Sequence, residues 1–168
     1  SGILRREMNL DQAGDTAWLD TLRGLCYRRL KDVRQAYAAF NKAIADHPDH
    51  VVAVLARGHA RAYLGDYEAA LQDAEMAVKL QPKSPEPYIF RGECLDELER
   101  YDEATGDYNR AMSLGGDQAM LILKLSSSVM NSLNAKADRE AEAEAEAEAE
   151  AEADEEALIT APARPPTD

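Results

Sequence analysis

The chain has 168 residues, 19 basic and 32 acidic, for a formal net charge of −13. Residues 138–156 hold 11 of those acids against one base, which leaves residues 1–137 near neutral at −3, with no dense basic run; nucleic acid is therefore not an expected partner. No apolar stretch approaches the ~20 residues of a membrane span, and no secretory apolar region opens the chain.

Residues 1–16 form an N-terminal segment. It opens on Ser1-Gly2 rather than a methionine, as the end of a truncated upstream region would, and Ile3, Leu4 and Met8 suit a turn or two of helix. Ala13-Gly14-Asp15-Thr16 then punctuates, with Asp15 or Thr16 placed to cap the helix that follows. From there a unit of 34 residues recurs. Gly24, Gly58 and Gly92 are each preceded by Arg23, Arg57 and Arg91, and followed in step by Leu30, Leu64 and Leu98, by Ala36, Ala70 and Ala104, and by Ala43, Ala77 and Ala111. The copies divide at 17–50, 51–84 and 85–118. Each carries two stretches with apolar residues at three- and four-residue spacing, the mark of paired amphipathic helices.

The turns between them have their own chemistry. Asp32 and Asp66 are placed as helix caps, Gly65 as a left-handed residue, and Asp49 as a cap after Pro48. Ser84-Pro85 reads as a cap followed by a first-turn proline, and Leu114-Gly115-Gly116 ends the third copy. Residues 118–134 are half a unit: Asp117 caps, Ile122, Leu125 and Val129 make a stripe, and Ser126 stands 34 after Gly92. This is expected to be a capping helix, with Ser127, Ser128, Asn131 and Ser132 on its polar outer face. Residues 135–168 are an acidic Glu/Ala low-complexity tail, expected to be disordered or partly helical. Ala and Glu favour helix, but every Glu faces another four residues away.

The recurring Gly, then Ala36-x3-Phe40, then Ala43, then Pro48 resembles the tetratricopeptide repeat family. The family's early Trp is Asp20, Val54 and Tyr88 here. The resemblance covers about residues 17–134 and implies an all-α, right-handed α-solenoid of three helix-turn-helix repeats plus a C-terminal capping helix. Within it, Gly24, Gly58 and Gly92 are expected to face Ala36, Ala70 and Ala104 on the partner helix. The arginines before them are expected to pair with a carboxylate of the adjacent helix.

The two cysteines, Cys26 and Cys94, stand two repeats apart, too far for a disulfide. They read as free thiols on helix faces, which suits the cytoplasm or another reducing intracellular compartment. His47, Asp49 and His50 share a loop, but a polar turn explains them better than a metal site. No phosphate loop, dinucleotide fingerprint or metalloprotease motif occurs. No enzyme, no cofactor and no metal is expected.

The resemblance places a ligand in the groove lined by the first helix of each repeat. Mapped onto this chain, that surface is Thr21, Leu25, Arg28 and Arg29 in the first repeat, Leu55, His59 and Tyr63 in the second, and Ile89, Glu93 and Asp96 in the third. It runs from basic through apolar to acidic, which suits a peptide or helix of opposite polarity. Some relatives grip chaperone tails with basic and Asn side chains; the corresponding places here are Thr21, Leu25, Ala56, Glu86 and Phe90, which disfavours a co-chaperone. The expected function is a non-catalytic adaptor for a protein or peptide partner. A second reading is an assembly module that self-associates, through Met120, Leu123 and Met130, or belongs to a larger complex.

Overall fold

The structure is a computed structural model that describes residues 13–160, with side-chain surroundings for 17–153. Seven helices follow one another, with no strand among the described residues: α1 Ala13–Arg29, α2 Val33–Asp46, α3 Val51–Tyr63, α4 Tyr67–Leu80, α5 Pro85–Glu97, α6 Tyr101–Ser113 and α7 Gln118–Thr160. Helix α1 packs on α2, α3 on α4 and α5 on α6, and successive pairs meet through α2–α3, α4–α5 and α1–α3. This is an α-helical repeat solenoid. No described helix is long and apolar enough to cross a membrane. The chain divides into two units after Val129.

The caps follow the residues. Asp32 accepts from the Gln35 N–H and Asp66 from the Ala69 N–H, each at 3.2 Å, and Asp117 accepts from the Met120 N–H at 3.0 Å. Pro85 occupies the first turn of α5. Two cap expectations are corrected. Helix α1 begins at Ala13, so Asp15 and Thr16 lie inside it. Helix α3 is capped by His50 without a side-chain bond, not by Asp49.

The inner turns repeat with the sequence. Lys31, Gly65 and Glu99, 34 residues apart, all take positive φ, at 61°, 80° and 58°. Only Gly65 does so without a Cβ penalty. Glu99 is exposed, so Glu99→Gly is expected to raise stability by about 1 kcal/mol in urea unfolding; an unchanged midpoint would show that the turn bears no strain.

The glycines do not face alanines. A Cβ on Gly24 would run into the Phe40 ring; on Gly58 it would come within 2.6 Å of Phe90, and on Gly92 within 2.7 Å of Tyr108. The small residue makes room for an aromatic plate, not for a close helix approach. Ala36, Ala70 and Ala104 are fully buried elsewhere in the core. One cluster joins α4, α5 and α6 to Leu121 of α7, while Phe40 and Ala36 pack with Ala56 and Ala60.

Within the first unit, α7 turns Leu121 and Leu125 inward. Ser128 shares that face: it is buried and its hydroxyl donates to the Tyr101 carbonyl at 3.2 Å. The polar residue expected outside is inside, and Ile122, Leu123 and Val129 are exposed instead. In the second unit α7 continues as helix to Thr160, through the Glu/Ala stretch from Glu140.

Candidate functional site

Two features were open to a functional reading, and the ion pairs are the first. Arg57 grips Asp73 with two bonds, Nε to Oδ2 at 3.1 Å and Nη2 to Oδ1 at 2.6 Å, and Arg61 adds a third at 2.9 Å. Arg91 repeats the grip on Asp107 at 2.7 and 2.6 Å. Both carboxylates are buried, and the Asp107 hydrogen bond holds the Arg91 guanidinium above its usual value. Position 39 is alanine, so in the first repeat Arg23 turns to Asp20, which also takes Lys42. Arg57, Arg61 and Arg91 tie first helix to second, whereas Arg23 pairs within α1, against the expectation of an adjacent-helix partner, and Lys42 makes the tie to Asp20 in its place; none offers a ladder to an anion.

The second is the surface of the first helices, which carries two clefts in the first unit. The larger, about 670 Å³, lies between the C-terminal halves of α1 and α3. Leu22, Leu25, Cys26 and Tyr63 give it apolar walls, and Arg28, Arg29 and Lys31 give it charge. Among the described residues no ion pair occupies these three cations. The smaller, about 320 Å³, lies among α3, α4, α5 and α7, and is lined by Ala62, Tyr67, Phe90, Cys94, Glu93, Glu97 and Lys124. Glu93 is bridged to Lys124 at 2.8 Å. His59 borders both clefts. Its ring lies on Phe90, with centroids 4.0 Å apart, while its edge reaches solvent. Loss of solvent lowers its pKa, Glu93 opposes that shift, and Arg28 adds to it.

The expected groove residues separate into two groups. Leu25, Arg28, Arg29, His59, Tyr63 and Glu93 line the clefts. Thr21 does not, and is corrected: it is fully buried, its hydroxyl donates to the Ala17 carbonyl at 2.6 Å and stands 3.1 Å from His50 Nε2. With the hydroxyl proton spent on Ala17, His50 Nε2 must be the donor of that second bond. Leu55 and Ile89 are partly buried against the core, and Asp96 accepts from the Tyr108 hydroxyl at 2.6 Å. Neither cleft includes these three. The sequence reading missed Leu22, Cys26, Lys31, Tyr67 and Glu97 as lining residues. Leu22, Leu25, Cys26 and Arg29 follow helical spacing along one face of α1, a signal that was present.

The thiols behave differently. Cys26 is exposed and Cys94 buried. Burial pushes the Cys94 thiol from 9.0 to about 12, so it is protonated and inert at neutral pH. Ellman's reagent is expected to find one fast thiol per native chain and the second only in denaturant; two fast thiols would contradict the burial. An unfolded chain loses the Cys94 proton from about 9 while the folded chain keeps it to about 12. Stability therefore falls as pH rises through that window.

Comparison with known proteins agrees with this geometry. Tetratricopeptide repeat models match residues 22–50 and 53–84. Small glutamine-rich tetratricopeptide repeat-containing protein 2 of Mycosarcoma maydis is 32% identical over 117 residues, which cover 65% of this chain and 33% of that protein. Tetratricopeptide repeat protein 36 of Xenopus tropicalis is 28% identical over 140 residues, 79% of this chain and 64% of that protein. The chain thus spans about a third of the first relative's length. Among solved structures, the first repeat domain of Spaghetti (RPAP3) bound to the HSP90 peptide SRMEEVD superposes with TM-score 0.66 at 22% identity, covering 70% of this chain and 93% of that one. The Sgt2 domain of Aspergillus fumigatus gives 0.66 at 20%, covering 73% and 82%. The class is thus that of a helical repeat protein built from paired helices. Residues 22–50 and 53–84 match repeats of the tetratricopeptide repeat family.

Proposed function

We propose that this chain is a non-catalytic adaptor that holds a segment of a protein partner along its first helices. The observation that carries the reading is the larger cleft. Its apolar walls from Leu22, Leu25 and Tyr63 suit an anchoring side chain, and its cations Arg28, Arg29 and Lys31 suit an acidic neighbour. Glu97 at the smaller cleft favours a basic residue at the other end of the segment. Apolar contact supplies affinity here and charge sets direction. Neighbouring structures of this fold that hold HSP90 and HSP70 peptides support a peptide as ligand class. Capture of chaperone tails is disfavoured, because the positions of the family's grip hold Thr21, Leu25, Ala56, Glu86 and Phe90, with no cation among them.

The test uses partners captured on the immobilised chain, identified by mass spectrometry and then titrated. Tyr63→Ala with Arg28→Glu is expected to weaken binding at least about tenfold. Both side chains are exposed, so thermal unfolding should not change. Full affinity in that folded variant would overturn the reading. Leu55→Glu is no substitute, since Leu55 packs against the core.

A further inference from the structure

The first helices and their exit turns carry charge in step with the repeat. At places 34 residues apart, Arg28, Arg29 and Lys31 give way to Ala62, Tyr63 and Gly65, and these to Asp96, Glu97 and Glu99. A neutral set of places thus separates a basic set from an acidic one. One nearby residue of the middle repeat can change its charge near neutral pH. His59 stands in register with Leu25 and Glu93 and lines both clefts, which His47 and His50 do not. One face of its ring is spent on Phe90, with centroids 4.0 Å apart, while its edge meets solvent. In the larger cleft it meets Arg28 of α1, together with Arg29, Lys31 and the Cys26 thiol, and Tyr63 of its own helix. In the smaller it meets Tyr67 of α4, Glu93, Cys94 and Glu97 of α5, and Lys124 of α7. Glu93 is held by Lys124 at 2.8 Å, whereas Arg28 has no ion-pair partner among the described residues.

Resting on the adaptor reading, we infer that the partner segment places a carboxylate between Arg28 and His59, so that capture draws a proton from solvent onto His59 and tightens as pH falls. The cleft carries the inference. Its free cation, Arg28, selects a carboxylate, and the ring edge that shares the cleft is the next group such a carboxylate meets. In the free chain, loss of solvent disfavours the His59 cation, Glu93 opposes that effect and Arg28 adds to it. A carboxylate seated there offsets the repulsion from Arg28 and pairs with the imidazolium. An apolar side chain in the same place would act with the opposite sign, because it would strip more water from the ring. Charging His59 also carries the basic field one helix further, from α1 onto α3.

The probe is a pair of synthetic peptides, acetyl-Ala-Leu-Glu-Leu-Glu-Ala-amide and its counterpart with glutamine for both glutamates, titrated into the isotope-labelled full chain and followed by NMR. Between about pH 7.5 and 5.5, above the ordinary range of glutamate, the glutamate peptide is expected to tighten severalfold, with a ceiling of about tenfold for each pKa unit that His59 gains. The His59 ring protons should titrate at higher pH in the complex than in the free chain, a reading that needs no variant. The glutamine peptide should show neither effect, and His59→Gln should leave the glutamate peptide with a flat pH profile. A flat profile in the wild-type chain, weaker binding in acid, or a ring titration that the glutamate peptide does not raise would overturn the inference. So would a glutamate peptide that binds no better than the glutamine one at about pH 5.5. The adaptor reading falls on a separate result, a captured partner indifferent to Tyr63→Ala with Arg28→Glu.

Discussion

Asp73→Ala is expected to cost about 3 kcal/mol in urea unfolding, more than the same change at Asp107 or Asp20. Removing one partner of a buried ion pair leaves the other charge without compensation, at roughly 3–5 kcal/mol. Asp73 holds two arginines, Arg57 and Arg61, whose side chains keep only 17% and 24% of their exposure. Asp107 holds Arg91 alone, at 28%. Asp20 holds Arg23 and Lys42, both more than half exposed, which can return to water. The order Asp73, then Asp107, then Asp20 follows from how far each cation can retreat. A second measurement separates charge from packing. With Arg57→Met added to Asp73→Ala, part of the loss should return, because the double change leaves one fewer cation unpaired. Equal losses at all three aspartates would show that the arginine grips contribute nothing specific to the helix pairs.

These ion pairs also show why the fold was legible and the site only partly so. A residue that recurs every 34 positions has a job set by the repeat itself, so Arg23, Arg57 and Arg91 could be read as structural without coordinates. Their carboxylates could not be read from the arginines alone, because the first repeat has Ala39 where the others have Asp73 and Asp107. Thr21 has groove spacing, yet the loop through Pro48 brings His50 onto its hydroxyl, a contact across 29 residues that spacing along one helix does not encode. The serines of α7 misled for a different reason. Polarity alone points outward, but Leu121 and Leu125 set the inward face, and Ser128, seven residues after Leu121, must share it. Its hydroxyl then finds a carbonyl, which makes burial tolerable. Arg28, Arg29, His59 and Tyr63 were legible as cleft residues because exposure at a helix end depends little on neighbours. Leu55 and Ile89 were not, because the depth of a half-buried position depends on the next helix.

The same dependence yields the second large effect. In the first and third repeats the ring over the glycine comes from the second helix of the same repeat, Phe40 over Gly24 and Tyr108 over Gly92. In the second repeat that position is Ala74, and the ring over Gly58 comes from Phe90 on the following helix. The first junction has the reverse arrangement, Phe40 with Ala56. One aromatic is needed at each place, from either side. Phe90→Ala alone should cost about 3–5 kcal/mol for the buried ring it removes. Ala74→Phe alone should cost about 1–3 kcal/mol, because two rings compete for the space over Gly58. Combined, they transplant the Phe40–Ala56 arrangement into the second repeat. The pair should recover most of the loss, leaving a coupling energy of at least about 2 kcal/mol between residues in contact. Chemical denaturation of the two single variants and the double variant measures it. Additive losses would mean that Ala74 and Phe90 do not share one space, and that the repeats are not alternative solutions to a single packing requirement.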